Sequence, residues 1–205
     1  MAIETINAEE EKRKLLWLKD LSEFIVEANL ATWAGEGKEV EQPQRPGYKE
    51  LEYPPQKEPG IIPQKGFYLR DSYTKYFRAP GMTTIYYNGE PAWAMSYGGT
   101  GMVPGYELRA QEVFTFLKHA LKAVSPQLPF RGPTEFGEGR LIYRFNLLPN
   151  TDGNLGNLED ALWQEKIFEQ GIGDRPDILL FTQTGIAGVA IGKGEHTTAI
   201  KPWNL

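Results

Sequence analysis

The chain has 205 residues, a formal net charge of −5 and no cysteine. The acidic balance argues against nucleic acid as a partner, because binding to phosphates depends on basic side chains. The lack of cysteine excludes disulfides and thiolate metal sites. No apolar run approaches the roughly 20 residues that span a bilayer, and the N-terminal segment lacks the apolar core of a signal peptide. We therefore expect a cytoplasmic protein without membrane contact, folded as a single domain over residues 1–205.

Two helices are predicted from apolar residues that recur at helical spacing. The first covers residues 8–31, with Asn7 as its N-cap and acidic residues in its first turn, where the helix dipole favours negative charge. The second begins near Ala110 and ends at Ser125-Pro126, because proline does not continue a helix. Each helix is followed by a segment rich in proline and glycine.

The segment after the first helix, residues 35–65, is rich in proline, glycine and charged residues. About thirty residues without a core pattern is long for a loop, and loops of this length are often functional. We predict a short strand at 51–53 within it, and we interpret the remainder either as a lid or as a tether.

Residues 66–99 are predicted to form three antiparallel strands, of which the last two make a tight hairpin. Asn88-Gly89 favours a two-residue type I′ turn between runs of β-branched and aromatic residues. Regular pairing from that turn places Ile85 opposite Ala92. One face of the hairpin then carries Met82, Thr84, Tyr86, Trp93, Met95 and Tyr97.

The last third of the chain predicts three more strands, at 141–148, 161–170 and 178–192. The middle segment also fits a helical turn from Asn157 followed by a strand. Helix, proline-rich loop and strands occur twice, so residues 8–99 and 105–192 are interpreted as the halves of an internal repeat. The predicted fold class is α+β: a mainly antiparallel sheet with two main helices on one face, as two tandem αβββ units would form. A parallel doubly wound sheet conflicts with the tight hairpin and with only two strong helices.

Two loop motifs carry weak signals of ion binding. Residues 98–107 lie between a strand and a helix, as phosphate-binding loops do, but they lack the lysine of a P-loop and the third glycine of a dinucleotide site. We interpret them as a flexible crossover. Residues 149–160 match a calcium loop only in part and are interpreted as an Asp-Gly turn. The two histidines have no second ligand nearby, and no GxSxG motif is present, so we predict no metal, no cofactor and no catalytic residue.

Polar and aromatic side chains around the first strands form the predicted ligand-binding site. Arg70 and Asp71 are neighbours on one strand and must point to opposite faces, so a covered face buries a charge that needs a partner or lines a cavity. Aromatic side chains with a few polar groups are the usual lining of a small-molecule site, although aromatic residues also dominate ordinary cores. The predicted ligand-binding residues are Trp33, Glu52, Arg70, Asp71, Tyr73, Tyr86, Trp93, Tyr97 and Arg131.

Five segments carry a resemblance to a known family: ATWAGEG (31–37), RPGYKELEY (45–53), YLRDSY (68–73), YYNGEPAWAMSYGG (86–99) and PFRGP (129–133). Over residues 20–135 the chain resembles an uncharacterised bacterial domain family, whose members occur alone or fused behind a helix-turn-helix DNA-binding domain of the Cro/repressor type. The last third departs from the family pattern, since GIAGVAIGKG (185–194) stands where the pattern has a His-Gly-Gly-like segment. The resemblance implies, by analogy, a sensing or partner-binding role, and it assigns chemistry to no residue.

Three functions fit these observations. The first, which we favour, is a small-molecule sensing or interaction module without catalysis. The second is a structural protein that pairs with a second copy through an exposed strand edge or aromatic face, as a homo-oligomer. The third is an enzyme in which Glu52 or Asp71 acts as acid or base and Arg70 or Arg131 holds an anion. That third function requires Glu52 and Asp71 to share a cleft.

Overall fold

The fold of the chain is given by a computed structural model that describes residues 2–56, 61–150 and 152–205. Its helices are α1 (Ala2–Ala31) and α2 (Ala110–Lys122), and three 3₁₀ turns occupy Glu107–Arg109, Glu195–Thr197 and Pro202–Asn204. Its strands are β1 (Lys49–Tyr53), β2 (Phe67–Tyr73), β3 (Gly81–Tyr87), β4 (Glu90–Met102), β5 (Glu135–Glu138), β6 (Leu141–Leu148), β7 (Asp160–Glu169), β8 (Ile178–Val189), β9 (Gly192–Lys193) and β10 (Ala199–Ile200).

The main sheet contains eight strands in the order β1-β2-β3-β4-β8-β7-β6-β5, and every neighbouring pair is antiparallel. Strands β1–β4 and β5–β8 each form a consecutive meander, and the pairing of β4 with β8 joins the two. The predicted α+β class with a mainly antiparallel sheet is therefore confirmed, with four strands after each helix instead of three. The internal repeat of residues 8–99 and 105–192, and the single domain over 1–205, stay predictions.

Two local predictions are wrong, and one that had an alternative is now decided. Helix α1 begins at Ala2, so Asn7 lies inside the helix and is not its N-cap. The strand predicted at 161–170 is β7, which begins at Asp160 after a turn that is closed by an isolated bridge between Asn157 and Asp160. The segment predicted as a flexible crossover belongs to β4 as far as Met102 and stays paired with β8 beyond a bulge.

The hairpin of β3 and β4 has the predicted turn but a different register. Tyr86 pairs with Pro91 as expected, and a bulge then shifts the register so that Ile85 pairs with Trp93 instead of Ala92. Regular pairing would put Ile85 and Trp93 on opposite faces, although both side chains are large and apolar. The extra residue turns both toward the helices, where they are fully buried. Tyr86 consequently lies on the face opposite Trp93 and Tyr97.

Both helices pack on one face of the sheet and form a single core with it. Large, fully buried side chains of that face come from both meanders, including Leu69, Ile85, Trp93, Tyr143, Phe145 and Trp163. Helix α1 contributes Trp17, Leu21, Ile25 and Ala28, which recur at helical spacing. Within the described residues no helix is long and apolar enough to cross a membrane.

The opposite face of the sheet is open at its centre and covered only toward β1. At the centre, Ser96 and its cross-strand partner Ile186 are exposed. Near β1, the connection from α1 crosses the sheet edge, where Val40 donates a backbone hydrogen bond to Glu50 at 2.8 Å. The sheet is therefore covered on both faces at β1 and β2 and on one face elsewhere.

Candidate functional site

A cavity of about 400 Å³ lies between the end of α1, helix α2 and the sheet face that the helices cover. Its walls are mainly aromatic and aliphatic: Trp33, Leu51, Tyr73, Tyr76, Phe77, Phe114, Leu117, Leu121 and Phe181. Its floor holds the polar side chains Asp71, Tyr97, Arg131 and Gln183. Volumes of about 300–1,000 Å³ with an apolar lining and a few convergent polar groups are typical of small-molecule sites.

Asp71 is the buried carboxyl group of the cavity floor. It lies on β2 opposite Thr83 of β3, and the Thr83 hydroxyl donates a hydrogen bond to Oδ1 at 2.7 Å. The Tyr97 hydroxyl of β4 donates to Oδ1 and Oδ2 at 3.1 and 3.0 Å. Burial raises the pKa of Asp71 above its usual value, a change that these hydroxyls and the charge of Arg131 reduce without cancelling. Its neutral form is therefore more favourable here than in water.

Arg131 and Glu165 form a buried ion pair beside Asp71. Nε of Arg131 lies 3.2 and 3.3 Å from the two Glu165 oxygens, and Nη2 lies 3.1 Å from Oε1. Tyr143 and Gln183 donate to the same carboxylate at 2.8 and 2.6 Å. These donors compensate Glu165, which is completely inaccessible to solvent, for its lost hydration.

The guanidinium of Arg131 is also flanked by two aromatic rings. It lies 5.7 Å from the ring centre of Trp33 and 5.8 Å from that of Tyr97. Trp33 follows the C-terminal end of α1, and Tyr97 lies on β4, so the turn after the first helix and the middle of the sheet position the arginine together. Cation–π contacts of this kind are most favourable where water is excluded.

Charged side chains surround the mouth of the cavity. Lys49 forms an ion pair with Glu39 at 2.7 Å, and the Tyr73 hydroxyl donates to the same Glu39 at 3.2 Å. Lys75 and Lys118 also line the opening, and Lys118 donates to the Gly35 carbonyl at 3.5 Å. Four basic and two acidic side chains therefore line a cavity in a chain whose net charge is negative.

A bulge in β4 shapes one wall of the cavity. Pairing with β8 is interrupted between Gly98 and Gly101. Gly101 has a φ of +61°, and a side chain built there would lie 2.2 Å from the carbonyl oxygen of Phe77. Glycine therefore lets the loop after β2 approach β4, and Met102 donates a backbone hydrogen bond to Phe77 at 2.8 Å.

Arg70 forms a second buried cluster on the opposite face of the sheet. Its Nη2 lies 3.1 Å from Glu52 and its Nη1 lies 3.5 Å from Glu50. The Tyr68 hydroxyl donates to Glu52 at 2.7 Å, and backbone N–H groups of Gln44 and Arg45 donate to Glu50 at 3.0 and 3.2 Å. Arg70 and Asp71 are thus both buried, because both faces of the sheet are covered at β2.

The nine predicted ligand-binding residues separate into three groups. Five of them line the cavity: Trp33, Asp71, Tyr73, Tyr97 and Arg131. Trp93 lies in the core beneath the helices, where its indole N–H donates to the Leu158 carbonyl at 2.9 Å. Glu52, Arg70 and Tyr86 lie on the other face. Glu52 and Asp71 therefore share no cleft, which contradicts the acid–base pair of the enzyme hypothesis.

Sequence reasoning missed several residues of the cavity. Gln183 on β8 and Phe114 and Lys118 on α2 line it, and Glu165 holds Arg131 from behind. One signal was present for Glu165, because it alternates with Trp163 and Ile167 in the apolar row of β7. No local pattern marks the others, since distant segments bring them together.

Comparison with known proteins adds a partial match. Residues 71–171 match the family model described as Domain of unknown function (DUF5680). The matched region begins at Asp71 and contains Tyr97, Arg131 and Glu165. It agrees with the predicted resemblance to the extent that the family is one of unknown function. The bacterial source and the fusion to helix-turn-helix regulators stay predictions. No curated protein and no solved structure matches the chain.

Proposed function

We propose that this protein binds a small molecule in the cavity between α1, α2 and the sheet, and that it does so without catalysis. One observation carries the proposal: Asp71, Arg131 and Gln183 converge on the floor of a partly open cavity with aromatic walls. A core that served stability alone would fill this space with side chains, because protein interiors are closely packed. The volume of about 400 Å³ suits a ligand toward the small end of the usual range.

The arrangement of the carboxyl groups supports ligand binding in preference to catalysis. Glu165 accepts hydrogen bonds from Arg131, Tyr143 and Gln183, so its oxygens are engaged. That leaves Asp71 as the buried carboxyl group that lines the cavity within the described residues. Acid–base catalysis commonly uses two groups with separated pKa values. The other carboxylate that lines the cavity, Glu39, is paired with Lys49 at the mouth.

The proposal is tested by narrowing the cavity. Ala79 lines it and is partly buried, so Ala79→Phe should reduce its volume. The matched control is Ala94→Phe, because Ala94 is also partly buried but lies on the sheet face opposite the cavity. Wild type and both variants are screened by thermal shift against a metabolite library, and compounds that raise the melting temperature are titrated by calorimetry.

We expect at least one compound to stabilise wild type and Ala94→Phe, with affinity reduced about tenfold or more in Ala79→Phe by steric exclusion. A library that stabilises no form of the protein contradicts the proposal. So does a compound that binds all three proteins equally, because it then binds outside the cavity.

Catalysis by Asp71 alone, without the excluded pairing with Glu52, is a second candidate function, and one observation favours it. Burial raises the pKa of Asp71 where it borders the cavity, as is common for general acids and bases. Each compound that binds is therefore incubated with wild type and with Asp71→Asn and followed by NMR. Turnover by wild type that Asp71→Asn abolishes would favour catalysis over simple binding.

A further inference from the structure

One edge of the Arg131 guanidinium is not used by the protein. Glu165 occupies Nε and Nη2, and within the described residues no hydrogen bond engages Nη1. A guanidinium carries five N–H donors in a planar fork and can bind a second carboxylate at its other edge. Arg131 lines the cavity, and within the described residues its Nη1 is not one of the fully buried side-chain nitrogens that lack a partner, as an edge open to the cavity requires.

The charge around the cavity favours an anion over a cation. Lys49, Lys75, Lys118 and Arg131 line it, against Glu39 and Asp71 as acidic residues. Lys49 already neutralises Glu39 at 2.7 Å and Glu165 pairs with Arg131, which leaves Lys75 and Lys118 against Asp71. The two remaining lysines stand at the mouth, where long-range attraction brings an anion toward the opening.

The walls favour a ligand that carries an apolar body beside its anionic group. Trp33 and Tyr97 flank the guanidinium, and Phe114 and Phe181 face each other edge-on at 6.0 Å between ring centres. A bare oxyanion would leave these aromatic surfaces without a partner. Apolar contact with them contributes in proportion to the area removed from water.

We infer that the cavity takes an organic carboxylate, whose carboxyl group binds the open edge of Arg131 and whose aromatic or aliphatic body packs against Trp33 and the walls. This inference rests on the proposed function, because it specifies the class of ligand for the same site. In its neutral form, Asp71 can donate a hydrogen bond to the bound carboxylate. Gln183 can complete the polar floor, since one N–H of its amide remains after the bond to Glu165.

The test uses three probes with one body and different charge: 3-phenylpropionate, 3-phenylpropan-1-ol and 3-phenylpropylamine. Their affinities for the full chain are measured at neutral pH by ligand-observed NMR titration. We expect the carboxylate to bind about tenfold or more tightly than the alcohol, and the amine to bind most weakly, because charge-assisted hydrogen bonds are roughly twice as strong as neutral ones.

Two arginine variants form a matched pair. Arg131→Lys keeps a cation beside Glu165 but removes the planar fork, and should weaken the carboxylate about tenfold while leaving the alcohol within about twofold. Arg70→Lys makes the same change in a buried arginine on the opposite face and should leave both affinities unchanged. The wild-type probe series does not depend on how well either variant folds.

Equal or tighter binding of the alcohol or the amine would overturn the carboxylate assignment while leaving the small-molecule function standing. The same holds if Arg131→Lys does not weaken the carboxylate, or if inorganic phosphate binds as tightly as 3-phenylpropionate. If none of the probes binds at about 10 mM, the carboxylate assignment fails. The screen with Ala79→Phe then decides the proposed function separately.

Discussion

Two buried arginines on opposite faces of one sheet differ in the space beside them. Arg70 lies between Glu50 and Glu52 beneath the connection from α1, and the cavity does not reach it. In the part of the chain that the structure describes, Arg131 has one ion-pair partner, Glu165, and it borders an aromatic cavity. Both guanidinium groups have lost most of their hydration, so burial alone does not distinguish them.

The difference shows what turns a buried charge into a binding site. Nε and Nη1 of Arg70 also lack a hydrogen bond within the described residues, yet no ligand can approach them. Its carboxylate partners instead attach the connection from α1 to the sheet, because Glu50 accepts backbone N–H groups of that connection. An unused donor therefore indicates a site only where volume adjoins it, as it does at Arg131.

The largest difference in stability between the two clusters is expected when their carboxylates are replaced. Glu165→Gln removes the one ion-pair partner that Arg131 has within the described residues. It should lower the free energy of unfolding by about 3–5 kcal/mol, because a buried charge is left uncompensated. Glu52→Gln should cost about 1–2 kcal/mol, since Glu50 stays near Arg70. Urea unfolding with unchanged m-values measures both losses.

Glu135→Gln serves as the exposed control. Glu135 pairs with Arg144 at 3.1 Å, and their side chains are 66% and 43% exposed. An exposed pair contributes less than about 1 kcal/mol, so this variant should be nearly neutral. If Glu52→Gln and Glu165→Gln destabilise the protein equally, the two clusters do not differ in the way their partners suggest.

The dependence of stability on pH should separate Asp71 from the other carboxyl groups. The pKa of Asp71 is raised on folding, so the folded state binds more protons than the unfolded state above the unfolded pKa of about 3.9. The stability that Asp71 gains from this proton binding is fully present below the unfolded pKa, and it is lost as pH rises through the folded pKa. While it is being lost, the free energy of unfolding should fall by up to about 1.4 kcal/mol per pH unit.

Asp71→Asn should remove this slope when unfolding is measured from acidic to neutral pH. Asp152→Asn is the control of opposite sign, because hydrogen bonds from Asn154 lower the pKa of the exposed Asp152. Its contribution is present at neutral pH and lost on acidification. A wild-type profile that Asp71→Asn leaves unchanged would show that Asp71 is not the proton-binding group.

Local patterns predicted the elements of the fold better than their pairing. Helical spacing and the Asn88-Gly89 turn indicated two helices and an antiparallel sheet, because both signals depend on neighbouring residues. The register shift between Ile85 and Tyr86 answers the requirement that Ile85 and Trp93 lie on one covered face. That requirement arises only when the helices are in place, so regular pairing gave the wrong register.

The candidate site was also predictable only in part, because local patterns reveal single residues but not the distant segments that cover them. Strand alternation correctly placed Arg70 and Asp71 on opposite faces, but it carried no information about the connection that covers the second face. Arg131 was found through its motif and not through contacts, since its partner Glu165 is 34 residues away in the chain. Cavities form from such distant segments and therefore leave little local signal.

An effect smaller than the loss of Glu165 is expected on removing one hydroxyl in each of the two arginine clusters. Thr83→Val removes the donor to Asp71, and Ser72→Ala removes the donor to Glu50 at 3.0 Å. Each should cost about 1–2 kcal/mol at neutral pH, as loss of a buried hydrogen bond does. The Thr83 hydroxyl favours the charged form of Asp71, so Thr83→Val should cost less at acidic pH, where Asp71 is neutral in both proteins. Urea unfolding at two pH values checks this, and a pH-independent loss for Thr83→Val would mean that Asp71 does not change its charge beside the cavity.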